Sequence, residues 1–139
     1  MLKIGANPNQ VSPNGVTPLV AALSSYRSNS RFRIIRALLE AGADPNTCDR
    51  DGNSALMPAV MHSGIAIVRT ILKAGADPRH VNTAGETAMD FAFFGTPLDS
   101  RVITALLQAG ADPNRPLEHG DTPLTDTVNW GDSDSMAAL

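Results

Sequence analysis

Residues Ala41-Gly42-Ala43-Asp44-Pro45-Asn46 read AGADPN, and the phrase returns as AGADPR at 74–79 and as AGADPN at 109–114. A weaker copy, IGANPN, occupies 4–9. Successive copies start 37, 33 and 35 residues apart. Self-similarity at such a period marks a repeat architecture, in which one small unit is stacked several times. Within the phrase, Gly42, Gly75 and Gly110 suit the left-handed backbone just past a helix end. Pro45, Pro78 and Pro113 then forbid the helix to resume.

Two further signals keep step with the phrase. Gly15-Val16-Thr17-Pro18-Leu19 recurs as Gly52-Asn53-Ser54-Ala55-Leu56, Gly85-Glu86-Thr87-Ala88-Met89 and Gly120-Asp121-Thr122-Pro123-Leu124. Thr17, Ser54, Thr87 and Thr122 are suited to cap a helix, because a hydroxyl accepts from a free N–H of the first turn. Pro18 and Pro123 follow where proline is tolerated. The apolar pairs Leu38-Leu39, Ile71-Leu72 and Leu106-Leu107 precede the phrase, with Ile35, Val68 and Ile103 three residues before them. That spacing is one face of a second helix. Each unit is therefore helix, short loop, helix and extended turn. Pro58, early in its helix, removes one N–H and predicts a slightly distorted start.

At these residues the chain resembles the ankyrin repeat family, whose pattern is G-x-T-P-L, a short helix, then V-x-x-L-L-x-x-G-A-D-x-N. The resemblance covers essentially the whole chain. It implies an all-α fold: an α-solenoid of paired antiparallel helices with β-turn or hairpin-like connections. Residues 1–139 form one domain, with units at approximately 12–48, 49–81 and 82–116, an incomplete unit at 117–139, and 1–11 as the end of a preceding unit. Three departures stand out. The turn position usually held by Asp is Ser12, Asp49, Asn82 and Leu117. The usual TPLH is SALM at 54–57 and TAMD at 87–90. Extra residues fall at 24–33 and 93–100, where Tyr26, Arg27 and Arg31 either drift neutrally or widen a binding surface. Neither end carries a polar-faced cap, so a segment of a longer array is expected.

Composition narrows the function. Apolar residues make up 42% and charged residues 18% of 139, as in a folded soluble protein. The net charge of −3 is too mild to point to nucleic acid or a membrane surface. It is uneven: residues 1–40 hold five basic and one acidic side chain, and residues 116–139 hold five acidic and none basic. No apolar run approaches the ~18–20 residues of a membrane span. One cysteine, Cys48, excludes an internal disulfide framework and suits the cytoplasm.

Catalytic patterns are missing from the sequence. No C-x-x-C, H-E-x-x-H, Walker A or G-x-S-x-G motif occurs. Asp49-Arg50-Asp51-Gly52 resembles part of a calcium loop. In that register Thr47 and Pro58 fall where the first acid and the final glutamate are required, so the fit fails. His62 falls late in a first helix, whereas His80 and His119 fall in successive turns. Layers of a helical stack lie roughly 8–10 Å apart. That spacing is expected to keep Cys48 from pairing with His80. The reading is therefore no enzyme, no cofactor and no metal.

What remains is surface. By the family resemblance, partner contacts come from the turn tips and from the first-helix face lining the concave side. Carried over by position, the tips are Pro13, Asn14 and Val16; Arg50, Asp51 and Asn53; Thr83, Ala84 and Glu86; Glu118, His119 and Asp121. The concave row is Ser24 and Ser25, Met61 and His62, Phe94 and Gly95, Asn129 and Trp130. Met61, Phe94 and Trp130 form a diagonal apolar strip, of the residue types enriched at interface hot spots and adaptable surfaces. Alternatively Phe93 and Phe94 plug the gap left by the longer loop, and Trp130 packs on a further repeat. The expectation is a protein-binding module, a monomer or part of a longer chain, engaging a protein rather than nucleic acid or membrane. The alternative is a scaffold or targeting segment of a longer enzyme or effector.

Overall fold

The computed structural model describes residues 5–25, 30–94, 99–116 and 120–122. Six helices lie among them: α1 (Pro18–Ser24), α2 (Arg31–Glu40), α3 (Leu56–His62), α4 (Gly64–Lys73), α5 (Ala88–Phe94) and α6 (Ser100–Gln108). α1 packs on α2, α3 on α4 and α5 on α6. The first helices also pack in a row, α1 on α3 on α5, and the second helices in another, α2 on α4 on α6. This two-row stack is an α-solenoid, with a core shared between neighbours rather than owned by one unit. Leu19, Leu23, Ile35, Leu56, Met57, Val68, Ile71, Ile103 and Leu106 are fully buried in it. The only bridge between extended segments among the described residues pairs Cys48 with Ser54.

The repeated phrase ends the second helix as its residues predict. Gly42, Gly75 and Gly110 have φ of 91°, 98° and 103°. Each donates to the carbonyl three residues back, and Ala43, Ala76 and Ala111 donate to Leu38, Ile71 and Leu106, five back, at 2.9, 3.3 and 3.0 Å. This double bond satisfies carbonyls that the helix itself leaves open. The three alanines are buried, so the helix stop is also part of the core.

The helix starts differ from one another. Thr17 Oγ1 accepts from the Val20 N–H at 3.4 Å, as an N-cap should. Ser54 does not cap: its buried hydroxyl has no partner and α3 begins one position late, at Leu56. Pro58 accounts for this. It has no N–H to offer the Ser54 carbonyl, so Met57 N–H turns to that carbonyl at 3.2 Å, and the hydroxyl loses its donor. The Thr87 hydroxyl donates instead of accepting. Both it and the Thr87 N–H bond to Asp90 Oδ2 at 2.7 Å. An acid three residues into a helix closes its start in this reversed sense.

The phrase has a second role beyond the helix stop. Asn9 Nδ2 donates to the Gly42 carbonyl at 3.0 Å, and Asn9 Oδ1 accepts from Asp44 N–H at 2.7 Å. Asn46 repeats both bonds one unit on, to the Gly75 carbonyl at 3.0 Å and from Asp77 N–H at 2.8 Å. The last residue of each phrase thus grips the next phrase through a two-way amide pairing. Arg79 breaks the series. Its Nε donates to the Gly110 carbonyl at 2.6 Å, but arginine has no acceptor to offer Asp112 N–H.

Two stability measurements test this account. Leu106→Ala removes a fully buried side chain and is expected to lower unfolding stability by about 2–5 kcal/mol in denaturant titration. Arg79→Asn restores the missing acceptor and is expected to raise stability by about 0.5–1.5 kcal/mol. A loss of stability in Arg79→Asn would show that the arginine contributes more than the amide pairing it replaced.

Candidate partner-binding surface

The ends of the first helices form one edge of the stack. Ser24, Met61 and Phe94 occupy equivalent positions at the C-terminal ends of α1, α3 and α5. Met61 is 38% exposed and Phe94 47% exposed, although both are large and apolar. His62, Ser24 and Ser25 are exposed beside them. Phe93 is half-buried against the core and Phe94 is not, so the two neighbours divide between packing and solvent. Trp130 and Tyr26 lie outside the described residues, as do Glu118 and His119.

The turn tips share one geometry. Ser12, Asp49 and Asn82 N–H groups donate to the carbonyls of Val16, Asn53 and Glu86 at 3.0, 3.1 and 2.9 Å. Their side-chain oxygens accept the return N–H at 3.2, 2.9 and 2.9 Å. Serine, aspartate and asparagine are therefore interchangeable at this position, because each supplies an oxygen at the same reach.

Several predicted tip residues prove to hold the stack together. Asn53 Oδ1 accepts from Asn82 Nδ2 at 2.9 Å, and Glu86 Oε2 accepts from the same group at 2.7 Å. The Asp51 carbonyl accepts both Thr83 N–H and its hydroxyl, at 3.0 and 2.8 Å. The Arg50 guanidinium donates back to the Pro13 carbonyl of the preceding tip. Asp51, Thr83 and Ala84 keep exposed positions, while Asn53, Glu86 and Asp121 are half-buried. Arg31 is likewise engaged. It donates to the Ser25 carbonyl and, at 3.0 Å, to the His62 carbonyl of the next unit. These bonds tie the start of α2 to the end of α1 and to the end of α3.

One expectation fails outright. Cys48 Sγ lies 3.3 Å from His80 Nε2, so the layer spacing does not separate them. The spacing applies to helix axes, and an imidazole reaching back from the following turn crosses it. The contact does not make a catalytic dyad. His80 Nε2 lies 2.7 Å from the Gly52 carbonyl, which can only accept, so Nε2 carries the proton and has no lone pair for the thiol. Burial, and after it the charges of Asp49 and Asp44, push the Cys48 thiol above its usual range. The arrangement therefore favours the unreactive thiol.

A second polar pair lies within the following unit. Asp90 is 2% exposed and lies 3.8 Å from Arg115 Nη1, while Arg115 Nη2 donates to the Gly85 carbonyl at 2.5 Å. His80 and Arg115 occupy the same place in their units, and both reach back to the turn glycine at the start of their own unit. A cavity of about 210 Å³, bordered by Arg79, Thr87, Met89, Asp112 and Arg115, sits beside this pair. No cluster of three or more metal-ligating side chains occurs among the described residues.

The sequence model described as ankyrin repeats (3 copies) matches residues 1–82 and 27–116. The chain belongs to the ankyrin repeat family. A solved ankyrin repeat domain from Acinetobacter baumannii AYE superposes with a TM-score of 0.82 at 30% identity, covering 96% of this chain and 68% of that one. Ankyrin repeats are generally protein–protein interaction modules. No helix among the described residues is long and apolar enough to cross a membrane.

The thiol provides a check on the local chemistry. Alkylation of Cys48 by iodoacetamide is expected to be slower at neutral pH than for a free cysteine peptide. It should accelerate only once the pH exceeds the ordinary thiol range. A profile at or below that of the free peptide would show that His80 activates the sulfur.

Proposed function

We propose that this ankyrin stack binds a protein partner along the ends of its first helices, with Met61 and Phe94 as apolar anchors. The observation that carries the reading is their exposure, 38% and 47%, at equivalent positions on successive helices of a rigid stack. An exposed methionine and an exposed aromatic on adjacent layers offer desolvation area at low entropic cost, since the scaffold has already ordered them. His62 and the exposed tip residues Asp51, Thr83 and Ala84 supply the polar rim. Arg50, Asn53 and Glu86 present what their hydrogen bonds leave available. Tyr26, Trp130, Glu118, His119 and Asp121 extend the same surface on the sequence pattern. The lone cysteine and the mild net charge favour a cytoplasmic, monomeric protein acting by recognition rather than catalysis.

The test is affinity capture from native lysate by the chain, beside a Met61→Ala, Phe94→Ala double variant. Circular dichroism and melting first establish that the variant is folded. Partner recovery is expected to fall at least tenfold for the variant, as for loss of two hot-spot anchors. Equal recovery by both proteins would move the interface to the turn tips.

A further inference from the structure

The amide series that joins the units is broken at Arg79, and unmatched hydrogen-bond donors gather where it breaks. Asn9 and Asn46 each offer an amide oxygen to the next phrase, to Asp44 N–H at 2.7 Å and to Asp77 N–H at 2.8 Å. The third equivalent N–H belongs to Asp112, and the residue in the place of the asparagine is Arg79, whose side chain has donors only. Asp112 N–H therefore has no protein acceptor among the described residues.

Arg115 adds a second unmatched donor. Its Nη2 donates to the Gly85 carbonyl, whereas its Nη1 is buried without a hydrogen-bond partner. Asp90 Oδ2 lies 3.8 Å from Nη1, beyond hydrogen-bond reach, and already accepts both the N–H and the hydroxyl of Thr87. A buried charged donor left in this way costs stability.

Arg79, Asp112 and Arg115 border one cavity of about 210 Å³. Arg79 Nε is committed to the Gly110 carbonyl at 2.6 Å, which fixes the guanidinium and leaves its terminal nitrogens for another acceptor. Buried Pro78, Met89 and Ala111 supply an apolar wall. The volume is below the roughly 300–1,000 Å³ of sites for drug-sized ligands and suits a group the size of one side chain. Charge narrows the ligand further. The two guanidiniums are set against the carboxylates of Asp90 and of exposed Asp112, whose Oδ1 already accepts Asn114 N–H at 2.9 Å. So balanced a cluster suits one negative charge better than the two of a phosphate, and a carboxylate matches the paired N–H groups of a guanidinium.

We propose that this cavity is a subsite for a single carboxylate, the side chain of a glutamate or aspartate in a bound polypeptide, held by Arg79, Arg115 and the Asp112 N–H. Only the carrier of that carboxylate rests on the reading of the stack as a protein binder. The subsite itself does not involve Met61 or Phe94.

The test titrates the isotope-labelled chain with N-acetyl-glutamate N-methylamide, beside its glutamine analogue and inorganic phosphate, at constant ionic strength. The readout is the magnetic resonance signal of the Asp112 amide and of the Arg79 and Arg115 Nε–H groups. The glutamate probe is expected to shift these signals saturably and to bind about tenfold or more tighter than the neutral glutamine probe, as for loss of a charge-assisted hydrogen bond. Arg79→Asn is the decisive variant, because it is expected to fold at least as stably as the parent chain. It should weaken glutamate binding by about tenfold or more. Arg115→Lys keeps a cation near Asp90 but loses Nη1, and should weaken binding as well. Shifts that do not saturate, equal affinity for the glutamine probe, or unchanged affinity in Arg79→Asn would each overturn the proposal. Tighter binding of phosphate than of the glutamate probe would overturn the assignment to a carboxylate. The Met61→Ala, Phe94→Ala double variant is expected to bind the glutamate probe as the parent does, so a failed lysate capture strikes the apolar anchors and leaves this subsite standing.

Discussion

A helix that stops in the left-handed turn of Gly42 leaves backbone groups just beyond it that its own unit does not satisfy. The Gly42 carbonyl and the Asp44 N–H are such groups, and both are met by one asparagine amide, Asn9, of the unit before. An amide with a donor and an acceptor side by side can do this; most side chains cannot. Because Asn46 does the same one unit later, each unit is set on the last with the same offset. The uniform offset brings Ile35, Val68 and Ile103 into one continuous core, and it aligns the first-helix ends on one edge. The register of everything else in the molecule follows from this pairing. At Arg79 half of the pairing is lost.

The surface is what the stacking leaves over. Positions that bridge units are constrained in chemistry: the Thr83 hydroxyl donates to the Asp51 carbonyl at 2.8 Å, and Asn82 Nδ2 donates to Asn53 Oδ1 at 2.9 Å. The apolar side chains of Met61 and Phe94 take no part in such bonds, and at their position the chain changes from Ser24 to Met61 to Phe94 without disturbing the helices beneath. A stiff array with variable edge residues separates folding from recognition. The same separation explains why its polar contacts do not amount to an active site. Cys48 and His80 touch, yet the imidazole proton is held by the Gly52 carbonyl and the thiol is kept protonated by burial. That polar cluster ties one turn to the next.

Much of this was legible from residue spacing. The helix stops, the two helices per unit and the buried triplet Ile35, Val68 and Ile103 all follow from local rules acting within about ten residues, where chain connectivity fixes the neighbours. Errors arose where a residue's partner lies in another unit or where two local preferences compete. Ser54 has the hydroxyl of a cap, but Pro58 diverts the N–H it would receive. Thr87 has the same hydroxyl, and Asp90 reverses its role. Asn53 looks like a free tip residue in sequence, since nothing near it in the chain marks Asn82, twenty-nine residues away, as its partner.

The sequence by itself determined the period, the all-α class, the place of each helix end and the family, because glycine, proline and apolar spacing act through backbone geometry that is local to each unit. Only the tertiary structure decided which polar residues fasten the stack and which face solvent. It paired Cys48 with His80, engaged Arg31 and Arg50 in inter-unit bonds, and left Met61 and Phe94 uncovered. Those outcomes depend on distances between side chains some thirty residues apart in the chain. Such distances are set by the rise and offset of the stack, which no single repeat contains.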